Sequence, residues 1–230
     1  MPVEPPPSPY NLDLDLGRVR GDLAGVGADL APGTLLAAYR RGLFPMGLGH
    51  DGVPPYGWYS PERRGVLLAG DHHVSRSLRR SARRFSVSVD DDFEAVMVAC
   101  ADPSRDGRWI TREIIGAYAE LHRLGWAHSV EVRDGDDRLV GGLYGVAIGG
   151  LFAGESMFHI ATDASKVALW ALVEIVFSGP AATDRLIDVQ WQTDHLARQG
   201  VREVPRSAYL GLLDTALRAP APEPFADTRT

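Results

Sequence analysis

The sequence predicts an α+β protein built around a mostly antiparallel sheet. Three observations predict it. Residues 127–158, AHSVEVRDGDDRLVGGLYGVAIGGLFAGESMF, read as strand, polar turn, Gly-rich strand, a turn at Gly149–Gly150 and a third strand, which is an antiparallel meander. An apolar helix pattern at 164–179 follows, and then a strand pattern at 185–192. Helical and strand patterns also alternate before the meander, with no internal repeat.

Taken in order, residues 1–9 are Pro-rich and predicted to be disordered. A short helix is expected after Pro32, stopping at Gly42. The next stretch, LFPMGLGHDGVPPYGWYSPERR, is rich in Gly, Pro and aromatics and reads as a long functional loop. GVLLAG (65–70) reads as a strand, with a domain boundary placed near residue 70. Ser75 can cap a helix running to about Arg84. FSVSVD (85–90) alternates as a strand, and 92–102 has helical spacing. A flexible loop is expected at 103–109. Thr111 then caps a helix whose apolar stripe holds Ile114, Ile115, Tyr118 and Leu121, and Gly125 closes it. Past the strand at 185–192 come a short helix at DHLARQG, a strand near REVP, a last helix from Ser207 and a loose tail at 219–230.

At 230 residues the chain suits one good-sized domain, or a large one and a small one. No apolar run reaches the roughly 18–20 residues that span a bilayer, and VALWALVEIVF is short and interrupted by Glu174. MPVEPPPSPY has neither the basic nor the apolar region of a signal peptide. Cys100 is the single cysteine and is expected to pack as a small hydrophobe. These features predict a cytoplasmic protein with no membrane association. No metal-ligand spacing is present, since His72 and His73 are adjacent rather than one helical turn apart.

The formal net charge is −6, yet HVSRSLRRSARR (73–84) carries Arg76, Arg79, Arg80, Arg83 and Arg84 with no acid among them. On a helix these form one sector, opposite Leu78, Ala82 and Phe85. A solvated face and a site for a polyanion are both open readings of such a stripe.

Three polar residues interrupt apolar strand sequence. Asp188 and Gln190 stand at i and i+2 and so are expected on one face, where a carboxylate beside a carboxamide can serve as base and positioner. A satisfied polar pair near a sheet edge is the other reading. Glu155 follows Gly154, and glycine in a strand often marks close approach of a ligand; a salt-bridged structural glutamate is the alternative. Trp58 and Trp109 sit in loop sequence, suited either to stacking on bases or to a clasp between subdomains. Ser156 lacks a nucleophile-elbow context, and GGLYGVAIGG is not a dinucleotide fingerprint.

YRRGLFPM, WYSPERRGVL, HHVSRSLRR, WITREIIGAYAELHRLGWAHSVEV, LVGGLYGVAIGGLFAGESMF, ASKVAL and IDVQWQTDHLARQGVREVPRSAYL, in this order and spacing, resemble the leucyl/phenylalanyl-tRNA–protein transferases. The resemblance covers about residues 33–215. It implies a small N-terminal domain (1–70) followed by a GNAT-like acyltransferase domain (71–230). It implies transfer of leucine or phenylalanine, less readily methionine, from aminoacyl-tRNA to proteins beginning with arginine or lysine, marking them for degradation. It implies a monomer without a cofactor; the turn HIATDASK has no glycine, which argues against coenzyme A as acyl carrier. Carried onto this chain, Asp188 and Gln190 are the expected catalytic pair, with Asp188 either helping to remove the amine proton, directly or through Gln190, or only anchoring the acceptor's positive charge. Leu143, Phe152, Leu172 and Ile187 are expected to wall the amino-acid pocket, supported by Glu155. Trp58 and Trp109 are expected at the terminal adenosine, and the five arginines on the acceptor stem. ESMFH places His159 where the family pattern has serine.

Overall fold

The computed structural model of the protein describes residues 1–103 and 109–226. The stretch richest in Gly, Pro and aromatics contributes strands and is not only a loop. β1 (Leu23–Val26), β2 (Phe44–Gly47) and β3 (Tyr56–Tyr59) form a small antiparallel sheet in the order β1-β3-β2. Each strand has four residues, too short for a two-residue alternation to show. α1 (Pro32–Tyr39) precedes β2, with Pro at its start, where no N–H is needed. Gly42 follows at φ +77°, and a Cβ there would meet the Tyr209 ring at 2.9 Å.

The large sheet has seven strands. They are β4 (Arg63–Leu67), β5 (Ser86–Val89), β6 (Ala127–Arg133), β7 (Leu139–Ile148), β8 (Leu151–His159), β9 (Leu186–Gln190) and β10 (Arg202–Pro205). Their order is β10-β4-β9-β8-β7-β6-β5, antiparallel throughout except for the parallel β8–β9 pair. The α+β expectation therefore holds, and 127–159 is the meander the sequence predicts.

Helices cover both faces. α3 (Phe93–Cys100) and α4 (Arg112–Arg123) pack on one, capped by the side chains of Asp92 and Thr111. Ile114, Tyr118 and Leu121 of α4 are buried, as their spacing predicts, and Cys100 is buried too. α5 (Ala164–Val176) is the crossover between β8 and β9 and covers the other face. α2 (Arg76–Ala82), capped by the Ser75 hydroxyl, packs on α5 through Leu78. α6 (Asp194–Ala197) and α7 (Arg206–Arg218) complete the fold. Three hydrophobic clusters result among the described residues, one under α1, α3 and α4, one under α5, and a smaller one where α7 packs on β4, β8 and β9.

Three expectations need correction. β4 pairs with β9 and β10, so the boundary between the two sheets falls between Tyr59 and Arg63, not near residue 70. Residues 1–9 form a strap, not a disordered tail. Val3 N–H donates to Leu124 O, Trp126 Nε1 donates to Val3 O, and Glu4 takes a forked pair of bonds from Arg40. Prolines raise the backbone cost of packing less than other residues do, because little freedom remains to lose. Residues 219–226 are not loose either: Phe225 is 2% exposed and seated in the α5-side core. The flexible loop expected at 103–109 and the tail at 227–230 lie largely outside the described residues. Among the described residues no helix is long and apolar enough to cross a membrane.

Candidate active site

β8 and β9 pair in parallel for only three residues, Leu151–Ala153 against Leu186–Asp188. Beyond that they part, and each carries an irregularity where it does. On β8, Tyr144 pairs with Ser156 and Gly145 with Gly154, so Glu155 is the extra residue of a β-bulge. On β9, Val66 pairs with Asp188 and Gly65 with Gln190, so Val189 is the extra residue, and Gln190 has φ +57°. A non-glycine residue held in the left-handed region is uncommon and requires support from its surroundings.

That support is Asp188, which is fully buried. Its Oδ1 accepts from Arg64 Nε at 2.8 Å and from the Gln190 backbone N–H at 2.9 Å. Its Oδ2 accepts from Arg64 Nη2 at 2.6 Å and from the Tyr209 hydroxyl at 2.8 Å. Arg64 is 1% exposed, lies between the Phe44 and Tyr209 rings, and donates to Gly42 O. Burial is the largest single influence and lowers the guanidinium pKa, but the Asp188 charge and hydrogen bonds, together with Tyr209 and Glu155, outweigh it and the net shift is upward. The pair is a satisfied internal ion pair. Losing either partner leaves a buried charge unpaired.

Glu155 faces a different set of partners. Its Oε2 accepts from Tyr118 OH at 3.2 Å, and the Tyr118 and Tyr39 hydroxyls hydrogen-bond to each other. Its Oε1 accepts from Gln190 Nε2 at 3.4 Å. Burial is the largest influence and pushes the carboxyl up to about 7, with the nearby Asp188 charge adding to it. The tyrosine hydrogen bonds and the Arg64 charge act in the opposite direction. The result is a carboxyl that changes charge near neutrality.

The opening between the parted strands is a cavity of about 560 Å³. Leu143, Leu172 and Ile187 line it, joined by Met157, Leu169 and Val189. Glu155 and Gln190 form its polar end, and Phe44, Met46, Trp109 and Trp191 lie on the side of the small sheet. A largely apolar cavity with a few converging polar groups is the usual form of a ligand site.

Three sequence expectations do not fit this geometry. Asp188 and Gln190 do not share a face of the cavity, because the bulge at Val189 breaks the alternation; Gln190 lines it and Asp188 does not. Asp188 is therefore out of reach of a substrate proton except through Gln190. Phe152 does not line the cavity; it is 1% exposed within the α5-side core. Trp58 is 2% exposed in the other core, with its indole N–H on Gly27 O at 2.7 Å, so it presents no ring face for stacking. Trp109 is half-buried and at the cavity.

The arginine stripe is exposed along its length. Arg79 lies over the Trp170 ring and Arg84 bonds Ser81, while Arg76, Arg80 and Arg83 have no acidic partner among the described residues. α5 separates the stripe from the cavity: Trp170 meets Arg79, and Leu169 and Leu172 of the same helix face inward. His159 lies near Ser165 Oγ, at 3.5 Å.

Sequence reasoning missed Arg64, Tyr209, Tyr39 and Tyr118. Arg64 stands next to exposed Arg63 in a short strand, and nothing local separates the two. Tyr118 falls on the apolar stripe of α4, so only its hydroxyl could have flagged it. Among the described residues no group of His, Cys, Asp and Glu could hold a metal ion.

Comparison with known proteins matches two family models, the leucyl/phenylalanyl-tRNA protein transferase N-terminal domain at residues 28–62 and the leucyl/phenylalanyl-tRNA protein transferase at residues 66–214. A leucyl/phenylalanyl-tRNA–protein transferase of Dechloromonas aromatica is 46% identical over 207 residues, 88% of this chain and 86% of that one. One of Anaeromyxobacter dehalogenans is 49% identical over 203 residues, covering 86% and 84%. The structure of L-PGS from Bacillus licheniformis aligns at 10% identity over 67% of this chain and 51% of that one, with a TM-score of 0.36, too distant to inform the fold. With both family models matched across the small sheet and the large one, and relatives this similar over most of their length, the chain belongs to the leucyl/phenylalanyl-tRNA–protein transferase family.

Proposed function

We propose that the protein transfers leucine or phenylalanine, and less readily methionine, from aminoacyl-tRNA to the α-amine of proteins that begin with arginine or lysine, marking them for proteolysis. The observation that carries this reading is an apolar cavity ending at Glu155 and Gln190 in a chain of this family. The opening of a parallel strand pair around the site supports a GNAT-like arrangement.

The donor's side chain enters the cavity between Leu143, Leu169, Leu172 and Ile187. An apolar wall discriminates by about 1–3 kcal/mol per methylene, which suits acceptance of several large side chains. The amine nitrogen of the acceptor attacks the ester carbonyl, the new C–N bond forms, and the C–O bond to the tRNA ribose breaks. One amine proton leaves, and the ribose oxygen receives one. The ester supplies the driving force, so no cofactor takes part. The acceptor amine has a reference pKa of about 7.7–8.0 and is partly neutral at cytoplasmic pH. With Gln190 Nε2 turned to Glu155, Gln190 Oε1 is available to accept from the amine. Asp188 acts as the anchor of Gln190 and not as a direct base, and Glu155, near half-ionised at neutrality, is the carboxylate closest to the proton's path.

Arg76, Arg79, Arg80, Arg83 and Arg84 hold phosphates of the acceptor stem, with the 3′ end passing α5 to the cavity. Screening over roughly 8–10 Å lets this local field act on RNA despite the acidic total charge. Trp109 stacks on the terminal adenosine; Trp58 supports the small sheet. No step needs a second chain, which supports a monomer working in the cytoplasm, where charged tRNA is found.

The test mixes the protein with tRNA charged with labelled phenylalanine and peptides beginning with arginine or alanine. Label on the arginine peptide alone is the expected result. RNA binding without transfer would leave a non-catalytic RNA-binding module.

A further inference from the structure

Phe225 comes from a segment whose sequence resembles a loose tail, yet it is 2% exposed. The segment is held in place: Arg185 Nε donates to Pro220 O at 3.0 Å, and the same side chain donates to Val176 O and Ser178 O at the end of α5. Phe225 N–H closes a turn on Pro222 O.

The ring of Phe225 packs on two residues of the large sheet. It lies 4.7 Å from the His128 ring and 5.4 Å from the Phe152 ring. His128 on β6 pairs with Gly145 on β7. Gly145 has no side chain, and the Phe152 ring fills its place; a Cβ on Gly145 would lie 2.5 Å from Phe152 Cε1. The same ring carbon is 4.0 Å from where a Gly154 Cβ would stand, and Gly154 lines the cavity. Phe152 also pairs with Ile187, another lining residue. Phe152 thus backs the cavity floor at Gly154 and Ile187, and Phe225 backs Phe152.

We infer that Phe225 sets the depth of the amino-acid pocket by pressing Phe152 against its floor, so that the C-terminal segment is a determinant of donor size. This rests on the transfer reading above. Phe225 touches no substrate; it is a positioning residue. Interiors are close-packed, so a void behind Phe152 gives that ring room to retreat and lengthens the cavity.

The experiment measures kcat/KM for tRNA charged with leucine, phenylalanine or tryptophan, using the unaltered protein, Phe225→Ala and Phe225→Leu. For Phe225→Ala, the phenylalanine-to-leucine and tryptophan-to-phenylalanine ratios are expected to rise about tenfold. Phe225→Leu, which refills most of the space and protects folding, is expected to shift them in the same direction by less. Ratios within one preparation do not depend on the folded fraction, so a merely structural role would lower all rates and leave the ratios unchanged. Unchanged ratios in either soluble variant overturn the inference. Calorimetric binding of phenylalanyl-adenosine against leucyl-adenosine reads the same selectivity without the reaction. Altered binding ratios with no transfer from any donor would sink the transfer reading and leave the role of Phe225 standing.

Discussion

Gln190 Nε2 donates to Glu155 Oε1 at 3.4 Å, and this bond joins the two strands just where they have parted. Each residue owes its position to a bulge, one beside Gly154 and one at Val189. The polar end of the cavity is therefore made of irregularities in two otherwise regular strands, held by two separate buried networks. Glu155 belongs to the tyrosine network of α1 and α4, and Gln190 to the ion pair of β4 and β9.

The Glu155 carboxyl, pushed up to about 7 from 4.5, links stability to pH. Between these values the folded chain binds more protons than the unfolded chain, so stability from this group falls as pH rises. The contribution is fully present below 4.5 and lost above about 7. Glu155→Gln removes that decline. Urea denaturation at low and high pH should show the variant gaining on the parent as pH rises, by at most about 3 kcal/mol. In kinetics, the same variant should lose the rise in kcat/KM near neutrality and keep only that of the acceptor amine.

Asp188→Asn leaves Arg64 buried without its counter-charge and should cost about 3–5 kcal/mol in urea denaturation. Arg64→Met combined with Asp188→Leu should cost much less, because no charge is stranded. Since Asp188 holds Gln190 and does not touch the donor, kcat should fall in Asp188→Asn with little change in the KM for tRNA. A KM effect as large as the kcat effect would contradict that role.

Replacing Arg76, Arg79, Arg80, Arg83 and Arg84 by glutamine should raise the KM for tRNA and leave kcat nearly intact. The log–log slope of affinity against salt should flatten by about 0.7–0.9 for each phosphate contact removed. Filter binding across a salt series reads both the loss and the slope.

The two tryptophans should separate cleanly. Trp109→Ala should weaken tRNA or phenylalanyl-adenosine binding by about 1–3 kcal/mol, the value of one base stack. Trp58→Phe loses the bond to Gly27 O and should lower stability by about 1 kcal/mol, with no effect on binding of correctly folded protein. Binding calorimetry beside thermal melts distinguishes them.

Much of the fold was legible because its signals are local. Ser75 and Thr111 each cap the helix that their position predicts, and Asp92 caps the helix read over 92–102. The Gly149–Gly150 turn joins β7 to β8 as expected. The small sheet was not legible, since its four-residue strands carry Pro and Gly where a pattern would need alternation. Glu155 was flagged by its glycine neighbour and is at the site. Asp188 and Gln190 were flagged as well, but strand alternation assigned them a shared face that the bulge at Val189 abolishes.

The sequence by itself determined the helices, the meander, the basic stripe and, through its ordered motifs, the family. Those depend on near neighbours along the chain or on residue order. Only the tertiary structure decided that Arg64 closes on Asp188 across 124 positions, that Tyr39 and Tyr118 meet at Glu155, and that Phe225 returns to the back of the pocket. Each of these is a contact between buried groups far apart in sequence, stabilised by pairing that no local pattern records: a buried charge needs its counter-charge and a buried ring needs a void to fill.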